Sequence, residues 1–360
     1  MEVYGEIKGI SYKPLLCKRL DYYTLSEMEN ALSQRASFML RIDDKNDVAV
    51  SWWVSPKRTR SYPYARVYDT LSFAGKKVTI IPVIKDEGKG EKKKGCKGDR
   101  DFLQWDTISL MSLLGVYVII GYYSEAERKT GCKNRITNQR FDVKYLQEEI
   151  LKLTSYQSDA LHWNLEQVDR VYQIAEKAFR SYEKISRRLG VKLHSMESAK
   201  RRIGRLYRNK ENFIKLSRKL AHGAQLRESI TVQPKEYLTG SKAAITIKNY
   251  LGGYYYFTAD EVEIVGNNLF LVEGKHTKSS ILPSEGDIKD ALIKMILFTN
   301  LENVVVNGVR YNPVPVLKLT TNREFREDSL SERKRMFLNL LKREAELNGF
   351  SLKINDSFIV

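Results

Sequence analysis

The chain predicts a mixed α/β protein of more than one domain, on three observations. Stretches near both ends alternate charged with β-branched residues or run apolar, as strands do. Between them, from about Phe141 to Leu226, apolar residues recur at three- and four-residue steps, the spacing of amphipathic helices. With 360 residues there is also enough chain for two domains, each with its own core.

Residues 1–140 read as a strand-rich domain. Phe38 to Asp43 and Val48 to Val54 have strand character, and Asp44-Lys45-Asn46-Asp47 is the polar connection between them. Ser51 to Tyr68 then interleaves Trp52, Trp53, Tyr62, Tyr64 and Tyr68 with Lys57, Arg58, Arg60 and Arg66. Arg forks onto phosphate or the guanine edge and aromatic rings stack on bases, so this is the leading candidate for a DNA-contact loop. An aromatic core strand edged by solvated cations fits the same residues. Lys77 to Ile84 predicts a buried strand in which Pro82 marks an edge or an end of pairing. Asp86 to Asp101, dense in Gly and Lys, predicts a mobile basic loop able to track a phosphate backbone without reading its sequence. The apolar run Leu110 to Tyr123 follows. Asp99, Asp101, Asp106 and Glu125 form a second acidic set, a rival catalytic centre. Its Glu125-Ala126-Glu127-Arg128 ends in Arg, which serves only as a fixed charge.

Residues 141–228 read as a basic helical connector. Tyr145, Ile150, Leu153, Leu161, Leu165, Val168 and Val171 fall at helical steps, and Gly190 is a helix stop. Ser195 to Ala221 predicts a further helix carrying Arg201, Arg205 and Arg208 among nine cations with few acids. Such a face suits lying along phosphate; a solvated helix face is the alternative.

Residues 229–360 predict the last domain. Ala243 to Lys248 and Gly252 to Phe257 read as strands, followed by an acidic hairpin. Its first arm, Asp260 to Val265, alternates charged and β-branched residues; Gly266-Asn267-Asn268 tolerates positive φ; Leu269 to Lys275 is an apolar run ending in Glu273-Gly274-Lys275. Alternation points Glu273 and Lys275 to one face, and the fold-back brings Asp260 beside them. A helix over Asp287 to Asn300, strands at Val304 to Val306 and Val314 to Leu319, and a final helix over Ser331 to Asn348 complete the domain. That last helix is expected to pack Met336, Phe337, Leu340, Leu341 and Leu347 on the sheet.

Two carboxylates and an ammonium at one place suit hydrolysis of a phosphodiester. Carboxylates are hard ligands for Mg²⁺, which needs only one or two of them beside a substrate phosphate, and a nearby Lys orients the attacking water or stabilises developing charge. Asp260, twelve intervening residues and then Glu273-Gly274-Lys275 resembles the PD-(D/E)XK nuclease signature, with Ala259 where that family often has Pro. The resemblance covers the C-terminal third. It implies a restriction-endonuclease-like core of mixed sheet flanked by helices, Asp260 and Glu273 as ligands of Mg²⁺, and Lys275 assisting the water. Glu261 and Glu263 lie in the same arm, and a one-residue change of register would exchange them for Asp260. His276 and Lys278 follow at once, suited to positioning phosphate.

Charge agrees with a polyanionic partner: the net charge is +17. No apolar run is long enough to span a membrane and the N-terminus lacks a secretory pattern, so a cytoplasmic location is expected. Cys17, Cys96 and Cys132 are odd in number and far apart, with no Cys-x-x-Cys pair for zinc or redox work. The reading is a Mg²⁺-dependent endonuclease of double-stranded DNA resembling type II restriction enzymes, a homodimer by symmetry reasoning, accompanied by a cognate DNA methyltransferase. The alternatives are a structure-selective repair, mobile-element or RNA nuclease with the same core, and a basic DNA-binding protein without catalysis.

Overall fold

The computed structural model describes residues 1–57, 62–206, 241–249 and 254–360. It is mixed α+β, as the sequence predicts. It divides into two units, each assembled from separated stretches of chain. One holds Met1–Arg19, Tyr64–Ala74 and Arg218–Val360; the other holds Leu20–Pro63 and Gly75–Ser217. These bounds differ from three consecutive segments ending at 140, 228 and 360, and the reason is pairing between distant residues. The strand Glu2–Ile7 lies parallel to Ser241–Asn249, from Glu2 opposite Ala244 to Ile7 opposite Asn249. Nothing local in either stretch advertises the other.

Among the described residues the first unit is built on a nine-stranded mixed sheet. Its order is Val309–Arg310, Glu302–Val306, Glu2–Ile7, Ser241–Asn249, Tyr254–Val265, Asn268–Thr277, Asn312–Thr321, Ser351–Ile354 and Ser357–Phe358. Tyr254–Val265 is a single strand, joining what the sequence separates into an aromatic strand and an acidic arm. It turns through Gly266, whose φ of 58° needs no Cβ, and pairs antiparallel with Asn268–Thr277 from Val265 opposite Asn268 to Glu261 opposite Val272. The parallel partner on the far side, Asn312–Thr321, sets Glu273 opposite Leu317 and Lys275 opposite Leu319.

Helix Glu285–Phe298 packs across those two parallel strands. Ser284 caps it, its hydroxyl accepting the Asp287 N–H at 3.1 Å. From Ile288 to Phe298 every residue is buried except Asp290, so this helix is an interior element. Two lysines are buried with it. Lys289 meets Asp69 at 2.5 Å, and Lys294 reaches the sheet.

The final helix, Glu332–Asn348, presents only part of the expected face: of the five residues, Leu341 is buried and Phe337 half-buried. Met336, Leu340 and Leu347 are exposed, while Leu338, Leu341 and Ala345 are buried. Glu344 lies among the latter and decides the rotation. Its buried carboxylate accepts hydrogen bonds from the hydroxyls of Tyr12 and Tyr68 and the N–H groups of Leu15 and Leu16, at 2.6–3.1 Å. A hydrophobic tally scores Glu against burial, but four donors from elsewhere in the unit outweigh that bias.

The second unit centres on a five-stranded sheet ordered Tyr22–Thr24, Ser37–Arg41, Asp47–Trp52, Lys76–Pro82 and Val116–Gly121. Lys76–Pro82 is interior, so Pro82 marks an end of pairing and not an edge. The apolar run after Leu110 splits into helix Trp105–Leu113 and strand Val116–Gly121 across Gly115, whose φ is 67°. Among the described residues Val116–Gly121 is the last strand of this sheet, and side chains of helix Ala160–Asp169 bond its outward backbone groups. Asn164 accepts the Val118 N–H, Gln167 accepts that of Ile120, and Trp163 donates to the Val118 carbonyl.

The helices Val143–Thr154, Ala160–Asp169, Val171–Leu189 and Met196–Leu206 follow the predicted period, and Gly190 ends the third in the left-handed region. Much of the aromatic stretch from Trp52 to Tyr68 is core. Trp53, Tyr64 and Tyr68 are buried, and the Trp52 indole donates to the Arg35 carbonyl at 2.7 Å, while Tyr62 is exposed. Distant Cys96 and Cys132 form a disulfide, which the sequence reading did not foresee, and Cys17 is free.

Candidate active site

The strand Asn268–Thr277 alternates between two surroundings. Leu269, Leu271, Glu273 and Lys275 share the face covered by helix Glu285–Phe298; Val272 and Gly274 share the other. Glu273 is only 1% exposed. Its Oε1 accepts from Lys275 Nζ at 2.9 Å, and its Oε2 from Lys294 Nζ, which also donates to the Thr258 carbonyl at 3.2 Å. Burial would raise the Glu273 carboxyl, but the two ammoniums overcome it and hold the group down at about 2. For Lys275 burial acts to lower and the acids to raise; Glu273, with Asp260 and Asp290 behind it, wins and holds the ammonium above its ordinary range.

Of the three first-arm acids, Asp260 is the one that joins this pair. Its Oδ2 accepts the Gly274 N–H at 3.0 Å, fixing a half-buried carboxylate on the neighbouring strand. Glu261 alternates to the other face, where it is buried with Lys318 at 3.8 Å. Glu263 is exposed, opposite Phe270. Register therefore decides among them.

Sequence reasoning missed two members of the cluster, both on helix Glu285–Phe298. Lys294 is the second cation on Glu273. Asp290, four residues before it and hence on the same helix face, is pushed up to about 6, chiefly by burial with Glu273 adding to it. The Ala65 N–H donates to Asp290 Oδ1 at 3.3 Å. The signal was the charged i, i+4 pair Asp290 and Lys294 within a helix that, Lys289 apart, is apolar from Ile288 to Phe298.

The remaining candidates are dispersed. His276 Nδ1 lies 3.0 Å from Thr320 Oγ1, and Lys278 is exposed just past the strand. Arg66 is half-buried on the helix Pro63–Tyr68; Arg201 pairs with Glu197 at 3.7 Å, one turn back along Met196–Leu206, which also carries Arg205. Arg58, Arg60 and Arg208 lie outside the described residues. Lys57 holds the second acidic set together, with Nζ 2.5 Å from Asp101 and 3.2 Å from Asp99. The Ser55 hydroxyl donates to Asp101 at 2.6 Å, Glu125 pairs with Arg140, and Asp106 sits in the first turn of Trp105–Leu113.

The donor set around Glu273 fits Mg²⁺ better than a metal that requires a full protein cage. Asp260 and Glu273 offer hard carboxylate oxygens, and Mg²⁺ takes one or two of these while keeping water and phosphate for the rest. Among the described residues the one grouping of three Cys, His or acid side chains with ligand atoms within 4.8 Å of one another is Glu91, Cys96 and Cys132, whose sulfurs are joined in the disulfide. Compared with protein-family models, with curated proteins and with solved structures, the chain matches none of them.

Proposed function

We propose that the chain is a Mg²⁺-dependent endonuclease that hydrolyses phosphodiester bonds of double-stranded DNA, resembling the type II restriction enzymes of the PD-(D/E)XK group. The observation that carries this is the convergence of Asp260, Glu273 and Lys275 at one hairpin, with Glu273 kept ionised inside the fold by Lys275 and Lys294. A buried ionised carboxylate is costly, and such perturbed groups cluster at sites of chemistry.

In this reading Asp260 and Glu273 hold the ion, which when bound polarises the phosphoryl oxygen and acidifies a water. Lys275, beside Glu273 at 2.9 Å, would offer its ammonium to an attacking water and to charge developing on phosphate. Lys294 stays on Glu273 and keeps that carboxylate in position. Lys278 and His276, next along the chain, steady the neighbouring phosphates. A cavity of about 450 Å³ lined by Thr277, Ser280, Ser284 and Lys334, among others, adjoins the end of the strand, and Asp260, Glu273 and Lys275 are not part of its lining.

Cutting both strands calls for two such centres, so a homodimer is part of the proposal, as is a DNA methyltransferase protecting the same site. The test is a substrate panel of long duplex, single strand, branched junction and RNA, each with Mg²⁺ and with chelator. The reading predicts discrete Mg²⁺-dependent fragments from duplex; cutting confined to junctions, single strands or RNA would replace the restriction reading with a repair or RNA nuclease.

A further inference from the structure

The second unit concentrates positive charge in one place. Residues 89–97 and 129–135 hold eight cations and one acid, Glu91, which is seven of the chain's seventeen net positive charges. The two stretches are far apart in sequence and are laced together. The Cys96–Cys132 disulfide joins them. Lys129 Nζ donates to the Gly95 carbonyl at 3.0 Å, Lys93 Nζ to the Gly131 carbonyl at 3.3 Å, and the Gly90 N–H to the Asn134 carbonyl at 2.8 Å. Glu91, the lone acid, accepts the Lys133 backbone N–H at 3.0 Å.

The first stretch, expected as a mobile loop, is thus tightly folded. Gly90 pairs with Lys97 across it, and a Cβ at Gly90 or Gly98 would collide with the backbone facing it. Lys89, Lys92, Lys93, Lys94, Lys97 and Lys133 are exposed, and among the described residues none of them is within ion-pairing distance of a carboxylate. Packing like charges together raises the free energy of the fold unless a polyanion neutralises them. Lysines act as point charges that neutralise phosphates without demanding a particular base sequence.

We propose that the disulfide-laced stretches 89–97 and 129–135 form a basic ledge that binds the phosphate backbone of duplex DNA. Only the choice of duplex DNA as the polyanion rests on the nuclease reading. The ledge supplies sequence-independent affinity, with the Cys96–Cys132 link holding the two rows of lysines side by side.

The experiment is a salt titration of duplex binding by fluorescence anisotropy, in chelator so that nothing is cut. It compares the full-length wild type with Lys92→Ala/Lys93→Ala/Lys94→Ala and with Cys96→Ser/Cys132→Ser, which keeps every charge. Each neutralised phosphate contributes roughly 0.9 to the slope of log K against log salt, so the triple variant should be shallower by about 2 to 3. The cysteine variant should bind roughly tenfold or more weakly at the same salt, as two unlinked rows lose their shared register. An unchanged slope in the triple variant, equal binding by the cysteine variant, or binding of anionic vesicles in place of duplex would overturn the proposal. A wild type that binds with this slope but never cuts would leave the ledge standing and remove the nuclease; one that cuts while the triple variant keeps the wild-type slope would do the reverse.

Discussion

Lys294 and Glu273 form a buried ion pair between helix Glu285–Phe298 and strand Asn268–Thr277, with side chains 10% and 1% exposed. Each needs the other. Removing one partner of a buried pair strands a charge and costs about 3–5 kcal/mol, whereas replacing both with apolar groups of similar size is far milder. Lys294→Met should therefore lower the urea midpoint, even with Lys275 still on Glu273, and Glu273→Met/Lys294→Met should recover part of the loss. A double variant no better than the single one would show that the pair does not hold the helix to the strand.

Two carboxyls of the cluster give opposite pH dependences. Glu273 is held at about 2 against an ordinary 4.5, so its contribution is present above pH 4.5 and is lost as pH falls towards 2. Asp290 is raised from 3.8 to about 6, so the folded state favours its neutral form. Stability on its account is full below 3.8 and declines as pH rises through 6, by at most about 3 kcal/mol. Asp290→Asn should leave stability near pH 4 unchanged and raise it near pH 7, narrowing the difference between urea midpoints at the two values.

The last helix offers a plain check on packing. Leu341 is 0% and Met336 62% exposed. Leu341→Ala should cost about 2–5 kcal/mol and Met336→Ala less than about 0.5 kcal/mol, read by urea denaturation. Reversed costs would put the core on the Met336 side of the helix.

Cysteine accounting checks the lacing of the basic stretches. Denatured without reductant, the protein should show one reactive thiol, Cys17, and after reduction all three. In the native state Cys17 should react slowly near neutral pH, because burial pushes its thiol up to about 11.

Much of the candidate site was legible because it is local. Asp260, Glu273 and Lys275 lie on two arms of one hairpin, where a turn residue and a period of two fix who faces whom. Lys294 and Asp290 were not legible, because a charge inside an apolar helix reveals its partner only once the helix is docked. The same holds for Glu344, which turned the final helix away from Met336 and Leu340, and for Glu2–Ile7, whose pairing with Ser241–Asn249 moved the N-terminus into the C-terminal unit. Trp53 and Tyr68 read equally as base-stacking or core rings, and burial settled both as core.

The central claim is that Glu273 and Lys275 perform phosphodiester chemistry. The most direct measurement is digestion of a long duplex DNA of known sequence, with Mg²⁺ or chelator, by the wild type beside Glu273→Ala and Lys275→Ala, each checked for folding by circular dichroism. The account predicts discrete bands that need Mg²⁺ and a fall in rate of about 10²-fold or more in both folded variants. Undiminished cleavage by both would contradict it and move the chemistry elsewhere, with the cluster of Lys57, Asp99 and Asp101 first in line.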